Sequence, residues 1–502
     1  MKKEKDWFKD RGYPHFSNKT PLSVRKKIKG YVSNPKKVAK HSFLPLIYKE
    51  IKQRRYKASN FNGEIKRSHK KYEKGKIISN SKIRKILYAS HLDAHIYSYY
   101  TQKIITPKYE DYLKKDSNLS NSITAYRQIA TNDQLKFKNN VHFAKDVFDE
   151  IKRRKNCVVL VLDIENFFPT LNHKKLKLTW AKILGLKTLP KDHFNLFKAI
   201  TRFSYVKLND FRTKKGHFNE KELSRLKKLG KHTFFESVKG LIDSEIIINK
   251  NQTLNKKKQL IGIPQGLPIS ALLANIYMLS FDEAIISDLT LKHNVFYRRY
   301  SDDIAIICRE EQIGIIENVV EKEIDKIDLK VSFEKTEKSL FRMNNGKLQS
   351  YKMDGTKLIE NIPLNYLGFE FYGYQTLLKS KNLAKFYREM KETINRKHKR
   401  VEQIKEKHLL DEASIFKRKL YRLFSFKGAK SRIIPTKRTD IKDGKQETKQ
   451  FDRKFRGNYL RYAYRASEDL EAPEIKRQLR KHWKILQKTM GKYDFSNVKK
   501  ND

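Results

Sequence analysis

The sequence predicts an α+β protein with a small antiparallel sheet and a helical, basic C-terminal region. Three observations carry that expectation. Residues 157–162, "CVVLVL", are a continuous valine-rich apolar run, the pattern of a central strand buried on both faces. Residues 295–308, "VFYRRYSDDIAIIC", read as two strands about a tight turn at Ser301–Asp302. From about residue 376 the pattern turns helical and strongly basic.

In chain order, residues 1–80 read as a basic N-terminal extension with a helix or two around one apolar patch, "SFLPLIYKEI" (42–51). Residues 91–104 and 141–155 are helical; in the second, Phe143, Val147, Phe148 and Ile151 share one face. The 157–162 strand ends at Asp163. Residues 186–260 resemble a Lys-rich insertion with short helices. Two prolines and two glycines in 261–268 precede a long apolar helix, 269–285. Further strands are expected in 331–341 and 364–374. Helices are expected at 382–407, 411–424, 452–466 and 473–489, around a lysine-rich loop at 427–449. The domain reading is therefore 1–80, 81–375 and 376–502.

The 502 residues are too many for one core. Lys and Arg number 111 against 56 Asp and Glu, a formal net charge of +55. Such a chain repels itself unless polyanions neutralise it, which makes nucleic acid the first partner to consider. A lysine-biased genome or a basic solubility surface would give the same composition without a partner, yet would leave the charge in place. Cys157 and Cys308, the only cysteines, each lie in an apolar run; they suit core positions in a reducing compartment rather than a disulfide or zinc site. The charged N-terminus lacks the apolar stretch of a signal peptide, and no run has the length of a membrane span. A cytoplasmic protein with no membrane partner is expected.

Two adjacent carboxylates, Asp302 and Asp303, between apolar strands are costly unless something neutralises them. If the 157–162 strand and the 295–308 hairpin are neighbours, Asp163 joins them. Three converging carboxylates repel one another unless cations bind. Two Mg²⁺ ions roughly 3.5–4 Å apart would answer this and align a phosphoryl transfer. An Asp-Asp pair in a turn is also a common turn signal; this one is the single Asp-Asp in the chain and lies inside apolar strands.

"FYRRYSDDIAII" resembles the fingerprint hairpin of reverse transcriptases, an aromatic and a variable residue before two aspartates. "LDIENFFPTL" resembles that family's first catalytic motif, "IPQGLPISALLANIY" its Pro-Gln-Gly motif and following helix, "VSFEKTEKS" its lysine motif, and "YLGFEF" its primer grip. They occur in the family's order over about residues 81–375. The resemblance implies a right-hand fold of fingers, palm and thumb, with fingers from 81–155 and parts of 186–260, helix 269–285 behind the palm sheet, and thumb and C-terminal helices in 376–502. It implies an RNA-directed DNA polymerase using two Mg²⁺, with Mn²⁺ as an alternative, whose partners are dNTPs, an RNA template or non-coding RNA, and a DNA primer or product.

By the same resemblance, Asp163, Asp302 and Asp303 hold the metals. Phe168 stacks under the deoxyribose and excludes a 2′-hydroxyl, unless it is a core aromatic beside Phe167. Gln265 and Gly266 contact nucleotide and template backbone, the glycine for close approach. Lys335 is an acid toward pyrophosphate or else a solvated lysine. Arg127, and less directly Arg84, bind triphosphate. Leu367 and Gly368 form the primer grip. Tyr459, Tyr462 and Tyr464 are open to base stacking or to helix packing.

"YASHLDAHIYSYY", "AYRQ", "DIENFFPTLNHKKL" and "NYLRYAYRASEDL" are most similar to bacterial defence-associated reverse transcriptases of the abortive-infection and "unknown group" type, related to retron and group II intron enzymes; the Val-Thr-Gly signature of retron enzymes is absent. That placement implies an antiphage role with a non-coding RNA, and raises untemplated synthesis, protein priming and homo-oligomers. Two other readings stay open: untemplated or protein-primed synthesis on the same site, and a catalytically silent RNA-binding protein.

Overall fold

The computed structural model describes residues 6–493 apart from 10, 18–19, 62–63, 74–75, 214–224, 226–232, 236–237, 245, 333–335, 356, 409–416, 427, 429–431, 443–444 and 456. The chain folds into two compact units that its linear order does not separate. One comprises residues 1–126, 164–287 and 320–331, the other 127–163, 288–319 and 332–502.

In the first unit a four-stranded sheet runs Ser81–Tyr88, Leu46–Arg54, Ser204–Lys207, Asn249–Lys250. Leu46–Arg54 pairs antiparallel with Ser81–Tyr88 from Ile47 opposite Tyr88 to Arg54 opposite Ser81, and parallel with Ser204–Lys207. Residues 1–80 do contain two helices, Arg25–Val32 and Pro35–Ala39, the second capped by the Asn34 side chain. The expectation of a mainly helical extension is nevertheless corrected: 46–88 is a run of strands that includes the hairpins Lys57–Phe61/Glu64–Ser68 and Lys70–Glu73/Lys76–Ser79. The signal was present, since Asn62–Gly63 separates the first pair and Lys74–Gly75 the second, the two-residue spacing of a tight hairpin. The single long helix expected over 269–285 is two, Ser270–Tyr277 and Leu279–Ile285, meeting at Met278.

The second unit is built on a six-stranded sheet in the order Phe296–Tyr300, Asp303–Cys308, Cys157–Asp163, Glu337–Asn344, Lys347–Asp354, Lys357–Glu360, antiparallel throughout. The strand expected to be central is central. Val158, Val159, Leu160 and Leu162 are buried, each contributing about 1.5–3 kcal/mol relative to exposure. Alternation sends Val159 and Val161, with Ala305 and Ile307 beside them, to one face. That face packs with the helix Asn140–Arg154 through Val147, Phe148 and Ile151, and with Tyr366, Phe369 and Phe371 of a small sheet made by Leu364–Tyr366, Phe369–Phe371 and Thr376–Leu378. Asn139 caps the helix, and Phe148 stacks on Phe371 at 4.5 Å.

The C-terminal region holds the helices Ser380–His408, Lys417–Phe424, Tyr459–Asp469, Pro473–Gln478 and His482–Gly491. Two expectations are corrected here. The lysine-rich segment is not a loop: Arg432–Lys442 and Lys445–Phe455 pair antiparallel along their whole length. Its β-branched positions (Ile433, Ile434, Thr436, Thr439, Ile441) and the Asp443–Gly444 dipeptide favour this over an irregular path. The helix expected from 452 begins only at Tyr459, because 452–455 are strand. Among the described residues no helix is long and apolar enough to cross a membrane.

Candidate active site and nucleic-acid interface

The carboxylates come from the second unit's sheet. Asp303, first residue of its strand, lies directly opposite Asp163, last residue of the central strand. Side chains at directly opposed positions share a face, with Cβ atoms about 4.5–5.5 Å apart. Asp302 occupies the adjoining two-residue turn, and Tyr300 faces Asp303 from the other side. Both Asp163 and Asp303 are half-buried, as is Asp302.

Local chemistry forces the turn. Ser301 is buried and takes φ +64°, a left-handed conformation that serine adopts at a cost of about 1–2 kcal/mol. Arg299, fully buried, donates from Nη1 to the Ser301 carbonyl at 3.1 Å and closes the turn. The Ser332 amide donates to the Asp163 carbonyl at 3.0 Å, fixing the end of the central strand. The two cysteines of these strands are buried, and burial pushes each thiol up to about 12, so neither is a nucleophile at neutral pH.

Oxygen-only donors suit a hard divalent cation. The backbone sets two of the three opposite each other. Among the described residues, however, no three His, Cys, Asp or Glu side chains are gathered closely enough to hold an ion. Asp302 lies in the turn rather than on the ladder.

Leu367 and Gly368 form a second tight turn, between Tyr366 and its partner Phe369, with φ +43° and +98°. Asn140 Nδ2 donates to the Leu367 carbonyl at 3.3 Å and to the Tyr462 hydroxyl at 3.0 Å; the Lys379 amide donates to the Gly368 carbonyl at 3.0 Å. The turn is thus held at both carbonyls. Arg127 is half-buried in a bend beside Tyr126, itself at φ +63°. Lys335 lies outside the described residues. Tyr459 and Tyr462 take the packing alternative: Tyr459 stacks on Phe386 at 4.6 Å, and both lie against the second unit's core. Tyr464 sits beside Phe426 at 5.5 Å.

The remaining site residues belong to the first unit. Phe167 is buried whereas Phe168 is half-buried, so the core role falls to Phe167 and leaves the Phe168 ring available. The Phe168 carbonyl accepts from the Ile263 amide at 2.9 Å, the Leu171 carbonyl accepts from Gly262 at 2.8 Å, and the Gln265 carbonyl accepts from Leu87 at 2.9 Å. Residues 262–266 therefore splint the 167–171 turn to the strand Ser81–Tyr88, which also carries the exposed Arg84. Glycine at 266 also has a reason within the chain itself. Its φ is +121°, and a Cβ would stand 2.6 Å from the Leu87 carbonyl, so the close approach is to the chain's own strand. Gly262, which sequence reading passed over, is tighter still: a Cβ would meet the Pro169 carbonyl at 2.5 Å.

The first unit also carries the clearest candidate surface for a polyanion. Between residues 49 and 85 Lys and Arg outnumber Asp and Glu several-fold. Lys66, Arg67, Lys70, Lys82, Arg84 and Lys85 are exposed, interleaved with exposed Ile65, Tyr72, Ile77 and Ile83. A cavity of about 320 Å³ is lined by Arg54, His69, Lys70, Ile77, Ile78 and Ser79. Cationic and apolar side chains in alternation suit phosphate and base together.

Opposed carboxylates end the central strands of an antiparallel sheet, with a third in the hairpin turn, in a chain of formal net charge +55. Residues 80–371, more than half of the chain, match the family model for "Reverse transcriptase (RNA-dependent DNA polymerase)". The chain belongs to the reverse transcriptase family, and with it to the RNA-directed DNA polymerases among nucleotidyltransferases. Its fold class is accordingly α+β, the right-hand class, with antiparallel sheets and a helical C-terminal region. Among solved structures it is similar to Candida tropicalis telomerase truncated from its C-terminal domain (12% identity, 72% of this chain and 61% of that one, TM-score 0.37). It is also similar to Candida albicans telomerase in complex with a TWJ fragment of telomeric RNA (12% identity, 72% and 50%, TM-score 0.33) and to the Sicinivirus 3Dpol RNA-dependent RNA polymerase (11%, 76% and 64%, TM-score 0.36). The chain spans less than two thirds of the length of each. No curated protein matches it.

Proposed function

We propose that this chain copies RNA into DNA from dNTPs, in the cytoplasm of a bacterium, as part of antiphage defence with an associated non-coding RNA. The observation that carries the polymerase reading is the placement of Asp303 opposite Asp163 with Asp302 in the adjoining turn. Asp163, Asp302 and Asp303 would hold Mg²⁺, which supplies charge stabilisation to the transferred phosphoryl group and the attacking hydroxyl. Phe168 is the residue to stack under the sugar of the incoming nucleotide and to reject a 2′-hydroxyl. Gln265 and Gly266 set the position of that pocket through their anchorage on the Ser81–Tyr88 strand. Arg127, Arg84 and Lys335 are the cations for the triphosphate and the leaving pyrophosphate. The Leu367–Gly368 turn holds the primer end. The exposed basic strands of 46–88 bind the RNA backbone. The defence assignment rests on the resemblance of the motifs around 88–100, 124–128 and 458–470 to enzymes of that role.

The experiment is purification with co-bound nucleic acid, sequencing of that nucleic acid, and addition of Mg²⁺ with labelled dNTPs, with Asp302→Ala/Asp303→Ala as control. Extension that copies the bound RNA, absent in the variant, supports the proposal. Product unrelated to any bound RNA points instead to untemplated or protein-primed synthesis. RNA bound with no incorporation by either form overturns the polymerase reading in favour of an RNA-binding protein.

A further inference from the structure

The hydroxyl of Tyr366 is a buried polar group of the second unit whose role the packing alone does not explain. It is 2% exposed and belongs to the buried cluster that includes Ala305, Phe369 and Phe371, with Val161 packed against that cluster. Its Oη is buried and has no hydrogen-bond partner. An unsatisfied buried hydroxyl carries a desolvation penalty that phenylalanine, filling the same space, would avoid. Chemistry that retains the hydroxyl has to give it an acceptor in some state of the protein.

Strand parity shows which acceptor is at hand. Ala305 belongs to the same buried cluster as Tyr366 and Val161 packs against that cluster, while Asp303 and Asp163 stand two residues before and after them, respectively, on the same face. The small sheet that carries Tyr366 is tied to the large one nearby: Asn365 Nδ2 donates to Glu337 Oε2 at 3.3 Å, and Glu337 is paired with Val161. An ordinary tyrosine hydroxyl is protonated at neutral pH and has one hydrogen to donate, which a carboxylate oxygen accepts. The other groups facing it are Arg298, Asp146 and Tyr300. Asp146 is taken by Lys138 at 2.8 Å; Arg298 lies over the Phe296 ring at 4.2 Å with Nη1 on the Tyr297 carbonyl, and its buried Nε, like the Tyr366 hydroxyl, has no hydrogen-bond partner but can only donate.

We propose that Tyr366 is a positioning residue for the metal-binding carboxylates: with a divalent cation bound, its hydroxyl donates to Asp303 and fixes the rotamer that ligates. This rests on the reading of Asp163, Asp302 and Asp303 as metal ligands. It joins two parts of the site, because Tyr366 immediately precedes the Leu367–Gly368 turn. A shift of that turn is thereby felt at the carboxylates.

The test is Mn²⁺ binding to the full chain, followed by electron paramagnetic resonance, for wild type, Tyr366→Phe and Asp302→Ala/Asp303→Ala, with melting temperatures measured without metal. Expected is a Kd for Mn²⁺ raised about tenfold or more in Tyr366→Phe, the range for loss of a ligand's supporting partner, with the metal-free melting temperature unchanged or raised. An unchanged Kd overturns the proposal. So does a lowered metal-free melting temperature, which would show that the hydroxyl already serves a structural partner. If wild type binds no more Mn²⁺ than the double-alanine variant, the ligand reading itself has failed, an outcome distinct from wild-type binding with no effect of Tyr366→Phe.

Discussion

Two hairpin regions of this chain use the same local signals and reach opposite ends. The Phe296–Cys308 hairpin turns in two residues, and its second strand is buried from Ile304 to Cys308. Its turn carries acid. The strands of 46–88 also turn at two-residue signals, yet Lys76–Ser79 is exposed at every position and Ser81–Tyr88 at four in succession. Their surface carries base. The difference lies in the company each strand keeps. The hairpin is paired to Cys157–Asp163 and lies over a helix and a second sheet, whereas among the described residues Lys57–Phe61, Glu64–Ser68, Lys70–Glu73 and Lys76–Ser79 each pair with one strand only. A strand packed on both faces can hold charge at one place only, its end, and there the charge is concentrated and oriented. A strand open on both faces spreads charge along its length, which suits binding to a backbone of regular charge.

Four variants would break or sharpen that contrast. The largest effect is expected of Asp302→Ala/Asp303→Ala: dNTP incorporation falls at least about a thousandfold, since the groups that gather the reacting oxygens are gone, while RNA affinity measured by filter binding is retained. Loss of RNA binding as well would mean the two regions do not divide their work. Next, Gly266→Ala forces a Cβ to 2.6 Å from the Leu87 carbonyl at a positive φ, and should cost about 1–3 kcal/mol in chemical denaturation. Activity should fall with it, because the same residues hold the Phe168 turn.

Third, Arg67→Ala/Lys70→Ala/Lys82→Ala should lower RNA affinity and reduce the slope of log K against log salt by about 0.7–0.9 for each phosphate no longer neutralised, with no change in melting temperature. An unchanged slope would reduce that surface to a solvated face. The smallest effect belongs to Ser301→Gly. Relief of the left-handed strain at φ +64° should raise stability by at most about 1 kcal/mol, offset by the flexibility of glycine. A fall in melting temperature would show that the buried serine side chain matters more than the backbone.

Much of the site was legible because polymerase chemistry needs a particular side chain at a strand end, and strand ends are visible in a sequence. "CVVLVLD" and "RRYSDDIAII" each announce an apolar strand interrupted by carboxylate. The N-terminal strands and the 432–455 hairpin were less legible. Their lysines and arginines weaken the alternation that marks a strand, and the Asn62–Gly63 and Asp443–Gly444 dipeptides were outweighed by charge. Tyr366, Gly262 and Arg299 had no usable signal. A buried hydroxyl, a glycine against a distant carbonyl and an arginine in the core are defined by neighbours far away in the chain.

What the sequence alone determined is therefore local: the strand runs, the turn between Ser301 and Asp302, the helix face of Val147, Phe148 and Ile151, and the presence of three aspartates in a basic chain. These follow from side-chain alternation and turn chemistry, which act over a few residues. Only the tertiary structure decided that Asp303 pairs with Asp163 rather than with a neighbour one step along. Register between strands some 140 residues apart is set by which faces can be buried together, and a one-residue slip of one strand would put the two carboxylates on opposite faces of the sheet.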